Sequence, residues 1–160
     1  MFKSSWSVIL LFVLTIAFTI LVLPYLPIFL RPNLILAFII LCSFLIGFQK
    51  SIWYWIIGGI ILDSFILFKW PINSIIFIGL FVILIFFAKT FDYTTRMSKI
   101  IMSLILIFIY YATWFLIDWM ALKKINIYLF LYLIETIIVF EIIFKLIYKN
   151  HREEKTLSSF

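Results

Sequence analysis

The stretch Ile100–Leu122, IIMSLILIFIYYATWFLIDWMAL, decides the fold. It carries one carboxylate and no basic residue. Wound as a helix at about 1.5 Å per residue, it reaches about 35 Å, enough to cross a hydrocarbon layer about 30 Å thick. A second such run, Ile125–Tyr148, follows after Lys123-Lys124, and the pattern repeats towards the start of the chain. Apolar stretches are interrupted only at Pro24 to Asn33, Gln49-Lys50, Lys69-Trp70-Pro71, Lys89 to Lys99 and Lys123-Lys124. With 67% hydrophobic and 12% charged residues, the chain lacks the polar exterior that a water-soluble domain needs. The expected architecture is all-α: a polytopic membrane protein folded as a compact bundle of six transmembrane helices, five being the alternative count.

The expected spans are Trp6–Leu23, Leu34–Phe48, Ile52–Phe68, Ile72–Ala88, Ile100–Leu122 and Ile125–Tyr148. Residues 1–148 then form the membrane bundle and 149–160 a short polar tail. The second span is short for a bilayer and must draw in flanking residues or lie where the membrane is thinned. Trp6 to Leu23 lacks a small-residue cleavage site and is expected to be a retained helix. Six spans place both termini on one side, with Lys3, Lys50, Lys89, Arg96, Lys99, Lys145, Lys149, Arg152 and Lys155. Arg31, Lys69, Lys123 and Lys124 fall on the other. Basic residues accumulate on the cytoplasmic side, so both termini are expected there. The net charge of +6 is scattered singly at span ends, a topology signal and not a phosphate-binding stripe, so no nucleic-acid partner is expected. Trp6, Trp53, Trp55, Trp70 and Trp119 lie near span ends, where indole anchors at the headgroups.

Four carboxylates, Asp63, Asp118, Glu135 and Glu141, lie within apolar runs, where an ionised group needs a partner, a proton or a wet cavity. Asp63 closes the third span, where that helix's own dipole disfavours negative charge. Gly59 is one turn earlier on the same face and Gly58 beside it, so a neighbouring backbone can approach and meet the carboxylate. Arg31, just before the second span, is the expected ion-pair partner of Asp63. Ser103, Ile107, Tyr111, Trp114 and Asp118 form a stripe on one face of the fifth span, suited to a helix–helix seam or to a ligand cavity. Glu135 lies near the bilayer centre, where desolvation favours the neutral acid, and Tyr128 and Tyr132 share its face. Glu141 stands one turn before Lys145 as a local pair.

The single cysteine, Cys42, and the single histidine, His151, offer no disulfide and no metal cluster. There is no Walker loop, no HExxH and no nucleophile–base set, so neither catalysis nor a cofactor is expected.

One set of residues resembles a known family. Leu30-Arg31-Pro32-Asn33-Leu34-Ile35-Leu36, then Gly47, then Gly58-Gly59-Ile60-Ile61-Leu62-Asp63, resembles the rod shape-determining protein MreD family. The likeness lies in chain length, span number, an Arg-Pro-Asn opening of the second helix and a Gly-x-x-x-Leu-Asp close of the third. The chain departs from the family after the aspartate, reading Ser64-Phe65-Ile66-Leu67-Phe68 where small, glycine-rich residues are usual. The resemblance implies a non-enzymatic component of the elongation complex in the bacterial inner membrane, supporting lateral peptidoglycan synthesis and rod shape. Its implied partners are membrane lipids and MreC-like, MreB-like, RodA-like and penicillin-binding proteins. Arg31, Pro32, Asn33, Gly58, Gly59 and Asp63 become the structural or partner-docking residues. Independently of the family, Pro32 suits a first helical position and Asn33 can bond at the helix start. The alternative is the substrate-binding membrane subunit of a vitamin or small-molecule transporter, which requires a cavity near the outer surface.

Overall fold

The computed structural model describes the backbone of residues 5–25, 32–65, 71–90, 95–122 and 127–157, and the side chains within 7–25, 32–64, 71–90, 95–120 and 127–146. Six α-helices account for nearly all of it: α1 (Ser5–Leu21), α2 (Leu34–Ile46), α3 (Phe48–Phe65), α4 (Ile72–Thr90), α5 (Arg96–Leu122) and α6 (Ile127–Leu157). A single 3₁₀ turn, Leu23–Tyr25, closes α1. Among the described residues α1 with its 3₁₀ turn, α4, α5 and α6 are each long and apolar enough to cross a membrane. The chain is an all-α membrane bundle.

Helix α2 is the centre of that bundle. It packs against α1, α3, α5 and α6, and eight of its residues, Ile35 to Ala37 and Ile39 to Ser43, are buried. A helix apolar on every face belongs where protein surrounds it on every face. This explains why α2 is only 13 residues long, about 20 Å. Helices around it, and not lipid alone, cover its flanks, so its own length need not match the bilayer.

The break between α2 and α3 falls at Gly47, with no loop between the helices. Its φ of 88° and ψ of 153° lie in a region that only glycine enters freely. The chain reverses there in one residue, and the Gly47 carbonyl accepts from Ser51 N at 3.2 Å. Gln49 and Lys50 therefore stand in the first turn of α3, not between spans as the polarity of that pair suggests. Helix α5 starts at Arg96, one turn before its apolar run, because Thr95 supplies the N-terminal acceptor: its Oγ1 takes Ser98 N at 3.2 Å. Helix α6 continues as helix through Leu157, so the polar segment from residue 149 extends the same helix beyond its apolar span, Ile127–Leu146.

The core is aromatic and aliphatic. Trp55 and Phe77 meet edge-on at 5.6 Å between ring centres, Phe77 meets Tyr110 at 5.8 Å, and Phe140 stacks on Phe144 at 5.6 Å. Trp55 is 0% exposed and donates from Nε1 to Ser43 Oγ at 2.9 Å. It is a core residue joining α2 to α3 and not the interfacial anchor that its position near a span end suggests. Trp53 is 66% exposed and Trp119 is likewise on the surface, in keeping with anchoring. Trp6 and Trp70 fall outside the described side chains. Cys42 is buried as a small packing residue.

Candidate functional site

Of the residues that carry the resemblance, Asn33, Gly58, Gly59 and Asp63 lie towards one end of the bundle, Gly47 stands at the α2–α3 break at the other, and Leu30 and Arg31 lie outside the described residues. Asn33 is the N-cap of α2: its side-chain oxygen accepts from Leu36 N at 3.0 Å, satisfying one of the free donors of a helix start. Pro32 sits one position before that cap, not at the first helical position. The Asn33 N–H donates to Thr136 Oγ1 of α6 at 2.9 Å. Thr136 shares a hydrogen bond of 2.7 Å with Tyr111 OH of α5. The start of α2 is thus tied to both long helices.

Asp63 meets the start of α4. Its carboxylate accepts from Asn73 N at 2.7 Å, from Ser74 N at 2.9 Å and from Ser74 Oγ at 2.6 Å. The residue preceding α4 is Pro71, whose carbonyl accepts from Ile75 N but whose side chain has no acceptor to offer. Asp63 supplies from α3 the capping oxygens that α4 lacks. The charge that opposes α3's own C-terminal dipole lies against the favourable N-terminal dipole of α4. Arg31, the expected partner, lies outside the described residues. Asn73 and Ser74, which bond Asp63, both belong to α4.

Gly59 makes this contact reachable. A Cβ built there would stand 2.7 Å from Ser74 Cα, 3.1 Å from Ser74 N and 3.3 Å from Asn73 O. The α4 backbone occupies the space a side chain would need. Gly58 faces the other way, towards Ile39 and Ile35 of α2, with Phe77 nearby. The glycine pair therefore lets α3 approach helices on both sides.

Asn73, buried at the second position of α4, extends the network. Its Oδ1 accepts from Tyr110 OH at 2.9 Å and from Trp114 Nε1 at 3.2 Å. Its Nδ2 has no hydrogen-bond partner among the described residues. The α5 stripe of Ser103, Ile107, Tyr111 and Trp114 is buried as a seam, with Asp118 half-buried beyond it. Glu135 and Glu141 are half-buried on α6, Glu135 beside Thr136 and so level with the start of α2. Asn73, Ser74, Tyr110 and Thr136 are the members that the sequence reading passes over.

The network lies deep. Thr136 is nine residues into α6, about 14 Å from its first residue, and Trp114 is eight residues from the end of α5, about 12 Å. The starts of α2 and α4 are therefore recessed relative to the α5–α6 ends. Above that floor lies an open cavity of about 560 Å³, with Thr19, Pro24, Asn33, Tyr111, Trp114 and Tyr132 on its wall. Among the described residues no group of three or more His, Cys, Asp or Glu side chains is placed to hold a metal ion. Comparison with family models, curated proteins and solved structures finds no match for the chain.

Proposed function

We propose that this chain is an MreD-like, non-catalytic component of the cell-shape and elongation machinery in the bacterial inner membrane, with both termini cytoplasmic. Its role is to dock partner membrane proteins, MreC-like and RodA-like among them, in support of lateral peptidoglycan synthesis. One observation carries the reading: Asn33, Gly59 and Asp63, members of the resembling motif, are each used to fix where neighbouring helices begin. Such a joint sets the shape of a surface, its polar groups being spent on helix ends. Apolar side chains along α1, α4, α5 and α6 face outward, and in lipid their association with a partner depends on that shape and not on water exclusion. The test is depletion of the protein in its host. Rounding of rod-shaped cells, with recovery by the wild-type chain but not by Gly59→Ala, is expected; unchanged rods on full depletion would overturn the reading.

The cavity favours a second reading, the substrate-binding membrane subunit of a vitamin or small-molecule transporter. Copurification with an ATP-hydrolysing motor, together with release of a water-soluble compound on denaturation, would select it. Its absence alongside the rounding phenotype would select the scaffold.

A further inference from the structure

We infer that Arg96, Lys99 and Lys145 form a docking site for the phosphate of an anionic membrane lipid, at the end of the bundle away from Asp63. Scattered along the sequence, the three cations are gathered by the fold. Helices α5 and α6 pack together, and the Arg96 guanidinium of α5 lies over the ring of Phe144 of α6, 5.8 Å from its centre. Lys145 is the next residue of α6, and Lys99 stands one turn along α5 from Arg96. Arg96 and Lys145 are exposed and Lys99 is half-buried. Tyr110 of α5 bonds Asn73 at the Asp63 end, and Arg96 lies about 21 Å back along the same helix. Stacking on a ring engages the flat face of a guanidinium and leaves its N–H edge to bond oxygen. The Phe144 ring thus holds one cation in place beside the others, so less freedom is lost when an anion arrives.

The surroundings select a lipid over a free anion. Arg96 opens the apolar span of α5, and Lys145 lies at the close of that of α6, Ile127–Leu146. Both charges therefore stand at headgroup level. Exposed Ile101 on α5, and exposed Ile138 and Ile142 on α6, adjoin them on the membrane side. A ligand seated here meets cations at its head and lipid-facing alkyl groups along its chains, which suits a phospholipid. Glu141, half-buried on α6 one turn before Lys145, offsets one of the three charges and leaves the site net positive among the described residues. The inference is independent of the scaffold reading, because it needs neither a protein partner nor an assignment of the leaflet.

The test is native mass spectrometry of the full chain, released from neutral detergent micelles holding equal amounts of phosphatidylglycerol and phosphatidylcholine. Each Lys or Arg beside an anionic headgroup is worth about fivefold in affinity. Phosphatidylglycerol adducts should exceed phosphatidylcholine adducts, fall about fivefold in Lys145→Gln and fall about 25-fold in Arg96→Gln/Lys145→Gln. Lys50→Gln is the control for net charge. Lys50 is exposed at the same end, but among the described residues its helix α3 packs on α2 and α4 and on neither α5 nor α6. Screening confines the effect of a charge to about 10 Å, so this variant should bind within about twofold of the wild-type chain. Retained blue-shifted emission from Trp55 reports that each variant is folded, and Lys145→Gln, at an exposed position, carries the test alone should the double variant not fold. Equal binding of the two lipids by the wild-type chain would overturn the inference, as would equal losses in Lys145→Gln and Lys50→Gln. Displacement of the lipid by an equal concentration of inorganic phosphate would do so too, since it would identify a free anion as the ligand.

Discussion

Gly59→Ala isolates the contact on which the α3–α4 joint depends. The new methyl would lie 2.7 Å from Ser74 Cα, while carbon atoms rest at about 3.5–4.0 Å, so α4 must retreat by about 1 Å. Overpacking of this kind costs about 1–3 kcal/mol. The retreat also stretches the three bonds to Asp63, now between 2.6 and 2.9 Å, each worth about 0.6 kcal/mol in a membrane bundle. The sum is about 3–5 kcal/mol of destabilisation. Gly79→Ala is the matched control. Gly79 is likewise inside a helix, α4, but nothing lies within 4 Å of its Cβ position, so gaining helix propensity should leave stability unchanged or raise it by up to about 1 kcal/mol. The assay is reversible unfolding in mixed micelles, with both variants compared to the wild-type chain. Equal stability of Gly59→Ala and Gly79→Ala would refute the close-approach argument.

Further outcomes follow from the same geometry. Asp63→Asn leaves one acceptor oxygen where three donors converge and should cost about 1–3 kcal/mol in the same assay; adding Pro71→Asp, which gives α4 a cap of its own, should restore about 1 kcal/mol. Gly47→Ala forces a side chain onto φ 88° and should cost about 1–3 kcal/mol, read as an earlier unfolding midpoint. Trp55→Phe removes the donor to Ser43 and part of the core volume for about 1–2 kcal/mol and should abolish the most blue-shifted tryptophan emission. Trp53→Phe, at an exposed site, should change stability by less than about 0.5 kcal/mol.

The six-helix architecture is legible because lipid leaves a long apolar run no choice but helix. Helix ends are less so. Gly47 rather than the polar Gln49-Lys50 pair ends α2, since a one-residue reversal depends on backbone freedom and not on polarity. The glycine face beside Asp63 is readable as a close approach, and the structure agrees. Which neighbour fills it is not readable from α3 itself, and the signal lay in α4, whose start offers Pro71 and no capping side chain. Trp53 and Trp55, two residues apart, point to different sides of one helix, so nearness to a span end decides nothing for either. Thr136 hides beside the more conspicuous Glu135, because a hydroxyl that accepts one bond and shares another leaves no mark in hydropathy.

The threading that brings Asn33 and Asp63 to one end is tested most directly from outside the membrane. In a Cys42→Ser background, Tyr25→Cys closes α1 at that end, while Gln49→Cys and Thr90→Cys mark the opposite end; all three positions are exposed. With an impermeant thiol reagent on intact cells, Tyr25→Cys should react at once, and the other two only after permeabilisation. Reaction of Tyr25→Cys and Gln49→Cys from the same side would contradict the bundle described here.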